Sequence, residues 1–199
     1  KPIIRVASAQ MALRNFEDAD ALFERIAQCA LAASEYSADF LCLPEHITLQ
    51  TLSRKQGPLN AGLAVDALTE LTDSYKDTLA YLAAHHRVNI IGGSHLNRCD
   101  DAIVRNICYM AHRDGVIDER AKIHPTPDER SVWGVVGGDD ADVINTDCGP
   151  IGITICYDSE FPLLGRALAE AEVLLVPSVT EALAGHSRVR IGAQARALE

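Results

Sequence analysis

Aromatic residues are scarce in this chain: 199 residues include five Tyr, four Phe and one Trp, 5% in all. The core must therefore be largely aliphatic, which a hydrophobic content of 48% allows and which excludes a disordered chain. No run approaches the roughly 20 apolar residues that cross a bilayer as a helix. Residues 1–10 carry neither a basic leader nor a long apolar segment. There is no stripe of Lys or Arg, and 18 basic against 28 acidic residues give a formal net charge of −10. That charge repels a phosphate backbone and an anionic membrane, so neither nucleic acid nor membrane is expected as a partner. The six cysteines (Cys29, Cys42, Cys99, Cys108, Cys148, Cys156) form no Cys-x-x-Cys pair, which leaves out a zinc knuckle and a thioredoxin-like motif. Free thiols fit a reducing compartment, and a cytoplasmic location is expected.

What is present is an alternation of strand-like and helix-like segments. "PIIRVASAQ" reads as a first strand, and Asn15 is positioned to cap a helix with Phe16, Ala19, Phe23, Ile26, Ala30 and Ala33 on one face. "ADFLCLPE" is a continuously apolar strand, of the kind buried on both faces, and ends at Glu45. Residues 48–62 read as a loop punctuated by Gly57-Pro58. One amphipathic helix follows, with Leu68, Leu71, Tyr75, Leu79 and Leu82 on its apolar side and His85, His86 and Arg87 at its end. "VNIIGGS", "VRNICYMAH" and "GVIDERAKI" read as three strands without helices between them, so the sheet should be mixed. Residues 124–140, rich in Pro, Gly and charge, read as a functional loop. "DVINTD" and "IGITIC" are two further strands joined by Cys148-Gly149-Pro150. Ser159 and Pro162 then open a helix, "VLLVPS" is a last strand, and residues 188–199 begin a helix. The class is α/β, and the length suits one domain over 1–199.

Three strand ends carry reactive side chains: Glu45, Lys122 and Cys156. A thiol is mostly protonated at neutral pH and needs a cation, a base or a helix N-terminus to act as a nucleophile. Lys122, Glu45 and the helix opening near Ser159 offer one of each. Taken singly, Cys156 reads as a small buried apolar residue, Glu45 as a capping carboxylate and Lys122 as a solvated lysine. Their shared placement at strand ends favours a site. A Cys-His pair using His124 is a weaker arrangement, with His124 read as a loop hydrogen-bonding residue. His85 and His86 with Cys99, Asp100 and Asp101 offer ligand types at no metal-binding spacing, so no metal is expected. Gly92-Gly93 and Gly137-Gly138 match no phosphate-binding pattern. Trp133 and Thr180 lie in loops suited to lining a substrate pocket and equally to packing.

"FLCLPEH", "ERAKIHPTPDE" and "GITICYDSEFPLLGRALAEAEVLLVPS" resemble the three signature blocks of the nitrilase superfamily, the carbon-nitrogen hydrolases, and the likeness runs from "IIRVASAQ" to "RIGAQARALE". The resemblance implies an α-β-β-α sandwich of two mixed sheets flanked by helices. It implies Glu45 as general base, Lys122 with the Tyr157 N–H as oxyanion donors, Cys156 as nucleophile and Glu129 as a second glutamate orienting Lys122 or Glu45. Pro125 departs from the leucine common in relatives. The reaction implied is cleavage of a non-peptide carbon-nitrogen bond in a small amide, carbamoyl compound or nitrile through a thioester, with no cofactor, in a homodimer or larger homo-oligomer. Acyl transfer to an amine and a silent binding protein on the same fold are the alternatives. Lys122 is expected to matter to rate and little to folding. The family's domain normally continues past "QARALE", so this chain is expected to lack its C-terminal part. The block "KIHPTPDERSVWG" also resembles a branch often joined to an N-acetyltransferase domain.

Overall fold

A computed structural model describes residues 3–52 and 60–199. Strand β1 (Val6–Ser8) is followed by helix α1 (Ala19–Glu35), whose N-cap is Asp18, accepting from the Ala21 N–H at 2.9 Å. Asn15 is not the cap. The backbone of residues 14–16 is instead tied to Gln50, with Arg14 N–H donating to Gln50 Oε1 at 3.0 Å and Phe16 N–H to its carbonyl at 2.9 Å. Leu22, Ile26, Ala30 and Ala33 form the buried face of α1, and Phe23 is only partly covered.

Strand β2 (Phe40–Cys42) runs into a 3-10 turn (Ile47–Thr51), which occupies the start of the expected loop; Gly57-Pro58 lies outside the described residues. The single amphipathic helix expected next is two helices, α2 (Ala61–Thr69) and α3 (Thr72–His86). The threonines at the break are held by a neighbouring strand: Thr69 Oγ1 accepts from Arg98 N–H at 2.9 Å, and Thr72 Oγ1 lies 3.0 Å from His95 Nε2. This break lets Val65 and Leu68 of α2 pack with Leu96 and Val104, while Tyr75, Leu79 and Leu82 of α3 join a different core. His85 and His86 fall in the last turn of α3, as their sequence position suggests.

Strands β3 (Asn89–Ile91), β4 (His95–Arg98), β5 (Val104–Ala111) and β6 (Ile117–Ala121) complete the larger sheet. β4 was not expected; the sequence His-Leu-Asn-Arg carries one apolar residue and no strand signal. The order is β1-β2-β3-β5-β4 with β6 also paired to β5; β1-β2 and β2-β3 are parallel and the rest antiparallel. Helix α4 (Pro127–Ser131) follows, then β7 (Ile144–Thr146), β8 (Gly149–Ile153), α5 (Pro162–Ala167), β9 (Val173–Leu175) and α6 (Leu183–Leu198). The second sheet, β7-β8-β9, is also mixed, and Gly149 belongs to β8 rather than to the turn before it. Helix α6 starts five residues before the expected Arg188.

Strand periodicity explains the layers. Along β2 and its extension, Leu41 and Leu43 point to α1 and α3, while Phe40 and Cys42 point to the second sheet; β5 alternates likewise, Tyr109 and Ala111 against Cys108 and Met110. Ile144, Ile151, Ile153 and Leu175 of the second sheet close that inner layer. Burying each such aliphatic side chain stabilises the fold by about 1.5–3 kcal/mol. Leu168, just past α5, lies against Gly152 of β8, and α6 packs on the turn Cys156–Glu160. The result is the expected α-β-β-α sandwich.

Candidate active site

Glu45, Lys122, Glu129 and Cys156 arrive from four separate elements and line one cavity of about 750 Å³. Glu45 follows β2, Lys122 follows β6, Glu129 is in α4, and Cys156 begins the turn after β8. Their exposures of 3%, 1%, 5% and 7% make this a desolvated set, in which charges interact far more strongly than in water.

Lys122 Nζ donates to Glu45 Oε1 at 2.8 Å and to Glu129 Oε2 at 2.6 Å. An ammonium has three N–H bonds, so one is left for the cavity. Burial opposes its charge, but the carboxylates of Glu45 and Glu129 outweigh burial and hold its pKa above the ordinary value. Burial likewise works against an ionised Glu129. Hydrogen bonds from His46 and Lys122 and the Lys122 charge overcome it and keep this carboxyl well below the usual range. Helix α4 supplies a further donor through a capping box: Thr126 N–H donates to Glu129 Oε2 at 2.7 Å, and Glu129 N–H to Thr126 Oγ1 at 3.2 Å. The loop read at residues 124–140 therefore contains a short helix that fixes Glu129.

A lysine so placed holds two buried carboxylates together. Its removal would leave two carboxylates buried without their cation, so the expectation that Lys122 matters little to folding does not survive the geometry.

Cys156 has φ of 49°, a left-handed conformation rare for a residue with a side chain and costing on the order of 1–3 kcal/mol. The surroundings hold it there: its N–H donates to Pro177 O at 2.9 Å, and its carbonyl accepts from Ser159 Oγ at 2.7 Å. Ser159 thus fastens the turn that carries Cys156 and does not cap a helix; α5 has six residues, with Phe161 as N-cap and Pro162 in its first turn. The helix expected to open near Ser159 opens at Pro162, after the 3-10 turn Cys156–Glu160. Burial, and after it the negative charge of Glu45, push the Cys156 thiol up to about 12, with the Lys122 charge pulling the other way. At neutral pH the sulfur therefore rests as a thiol, and its Sγ lies 3.7 Å from Val179 O.

Tyr157, Trp133 and Thr180 also line the cavity. The Tyr157 N–H makes no hydrogen bond among the described residues. His124 lies with Nδ1 2.9 Å from Asp158 Oδ1 and its ring stacked on Phe161 at 3.6 Å between centroids, a loop role. Three groups in the site escaped sequence reasoning. His46 lies 3.2 Å from Glu129 Oε1, Asn106 Nδ2 reaches both glutamates, and Val179 N–H donates to Glu45 Oε2 at 3.1 Å. An asparagine inside the apolar strand "VRNICYMA" was a signal; a backbone N–H gives none. Glu45, His46 and Glu129 have ligand-type atoms within 4.8 Å of one another, but the Lys122 ammonium already supplies a cation between the two carboxylates.

A family model described as carbon-nitrogen hydrolase matches residues 5–199. The probable hydrolase YhcX of Bacillus subtilis (strain 168) is 38% identical over 200 residues, covering 98% of this chain and 38% of that protein. Deaminated glutathione amidase of Dictyostelium discoideum is 28% identical over 193 residues, covering 89% of this chain and 65% of that protein. The chain thus spans less than two thirds of the length of either relative. The crystal structure of Saccharomyces cerevisiae Nit3, a member of branch 10 of the nitrilase superfamily, superposes with a TM-score of 0.78 at 22% identity, over 98% of this chain and 71% of that one. Matched by that family model over almost its whole length, the chain belongs to the carbon-nitrogen hydrolase family.

Proposed function

We propose that this chain carries the catalytic machinery of a cysteine-dependent hydrolase acting on a non-peptide carbon-nitrogen bond of a small amide, carbamoyl compound or nitrile. The observation that carries the reading is the convergence of a buried thiol, a buried carboxylate and a buried ammonium on one cavity. For an amide, Cys156 Sγ forms a bond to the carbonyl carbon while its proton passes to Glu45, and the carbonyl oxygen becomes an oxyanion. Because the resting group is a thiol, attack and proton transfer proceed together. The remaining Lys122 N–H and the Tyr157 N–H receive the oxyanion, a contribution of roughly 3–4 kcal/mol for one such donor. On collapse, the carbon-nitrogen bond breaks, Glu45 returns its proton to the nitrogen, and ammonia or an amine leaves a thioester on Cys156. Water, deprotonated by Glu45, then cleaves the thioester, giving the acid and restoring the thiol. Glu129 keeps Lys122 charged and in place. Trp133 and Thr180 would contact the part of the substrate that does not react.

Incubation with a panel of acetamide, propionamide, N-carbamoyl amines and butyronitrile, with ammonia release as the readout, tests this. Release that requires Cys156, Glu45 and Lys122 supports the reading; release undiminished in Cys156→Ala overturns it.

A further inference from the structure

Asn106 sits in the middle of β5 at 0% exposure, on the strand that pairs with β6 and so with the segment leading to Lys122. Its carbonyl accepts from Lys122 N–H at 2.8 Å. Its amide nitrogen lies 2.7 Å from Glu129 Oε1 and 3.3 Å from Glu45 Oε1, with His46 Nε2 at 3.4 Å. Its amide oxygen is buried and has no hydrogen-bond partner among the described residues. A strand interior does not retain an unpaired polar oxygen for stability, because an apolar residue of the same shape would remove that cost. The nitrogen is the part in use.

We propose that Asn106 is a positioning residue for both glutamates, donating one N–H to each Oε1 and so leaving Glu45 Oε2 as the oxygen that takes the Cys156 proton. The proposal rests on the reading of Glu45 as base. Glu45 Oε1 is held by two side-chain donors, Lys122 and Asn106, whereas among the described residues Oε2 accepts from the Val179 N–H and from no charged or amide side chain. Less occupied by donors, Oε2 is the more basic oxygen. Two carboxylates this close repel, and a second ammonium would quench the base. A neutral amide supplies donors to both without adding charge. An ionised carboxylate 3.2 Å from His46 Nε2 favours the tautomer with its proton there, and the Asn106 amide nitrogen at 3.4 Å, itself a donor, is then a neighbour of that N–H rather than its partner. The groups facing Asn106 are thus Glu45, Glu129, His46 and Lys122, with Cys156 beyond Glu45.

The test uses p-nitrophenyl acetate, whose acetyl group is transferred to the Cys156 sulfur with loss of p-nitrophenolate and is then hydrolysed to acetate. The burst reads acylation, the steady state reads deacylation, and Cys156→Ala corrects for the other thiols. In Asn106→Leu, both rates are expected to fall about tenfold or more, with KM changed less than about threefold and the acid limb of kcat/KM moved to higher pH. Asn106→Asp, of the same shape, covers the case in which the leucine variant does not fold. It should lose more than Asn106→Leu at neutral pH, since it sets a third carboxylate against two. Rates within about twofold of wild type and an unmoved acid limb in the folded variants would overturn the proposal. Glu45→Gln serves as the reference. If it leaves the burst and steady state unchanged, the base reading fails and the proposal with it; if it slows both while the Asn106 variants do not, the proposal alone fails.

Discussion

Val179 joins Glu45 to Cys156: its N–H donates to Glu45 Oε2 at 3.1 Å, and its carbonyl oxygen lies 3.7 Å from Cys156 Sγ. The loop after β9 therefore contacts the Glu45 carboxylate and the Cys156 thiol through the same residue. Glu45→Gln would set an amide N–H against either the Val179 N–H or the Lys122 ammonium, and it removes the group proposed to take the thiol proton. Turnover of a responsive amide should fall by roughly 10²–10⁴-fold with the circular dichroism spectrum unchanged.

Lys122→Met separates the oxyanion role proposed for this side chain from its bridging of two carboxylates. The loss of an oxyanion donor should lower kcat by roughly 10²–10³-fold. The loss of the cation between two buried carboxylates should lower unfolding stability by about 3–5 kcal/mol, measured by urea titration. A variant that is slow but as stable as wild type would contradict the bridging role of the ammonium.

How much of this was open to sequence reasoning differs from residue to residue. Glu45, Lys122 and Cys156 were legible as reactive side chains just past strand-like segments, but β6 is antiparallel to β5 and β8 belongs to the other sheet, so their convergence was not written in the strand pattern. Glu129 came from family resemblance, and its capping box with Thr126 was present in "TPDE". The Ser159 cap failed because a serine three residues beyond Cys156 has a nearer acceptor, the Cys156 carbonyl. The split between α2 and α3 was invisible because continuous apolar spacing says nothing of two threonine hydroxyls claimed by another strand. β4 has too little apolar character to be read at all.

His95 gives a pH prediction. It is fully buried, with Nδ1 2.8 Å from Thr48 Oγ1 and Nε2 3.0 Å from Thr72 Oγ1, and it lies beside the rings of Tyr75 and Tyr109. Burial first, and the nearby His46 second, push its pKa down to about 4. An unfolded histidine takes its proton near about 6.5, so between that pH and about 4 the unfolded chain binds the extra proton. Stability from this group is complete above the upper limit and declines as pH falls, by on the order of 3 kcal/mol across the window. Thermal melts from pH 7 to pH 4 should show this slope, and His95→Gln should flatten it.

Gly93 should tolerate no side chain. Its φ is 69°, and a Cβ built there would stand 2.0 Å from the carbonyl oxygen of Pro44, the residue before Glu45. Strain and overlap with backbone together make Gly93→Ala costly, about 3 kcal/mol or more, and any folded protein should have a displaced Glu45. Tm and turnover should fall together, whereas Gly62→Ala, with only Asn60 Oδ1 at 3.4 Å, should change neither.

The central claim is that Cys156 becomes covalently acylated. Intact-mass spectrometry of protein quenched in acid during turnover of a responsive amide or nitrile measures it directly. Wild type should gain the mass of one acyl group per chain, located on the peptide containing Cys156. Glu45→Gln should alter the amount that accumulates, and Cys156→Ala should gain nothing. An equal adduct on Cys156→Ala, or turnover by that variant at the wild-type rate, would contradict the account.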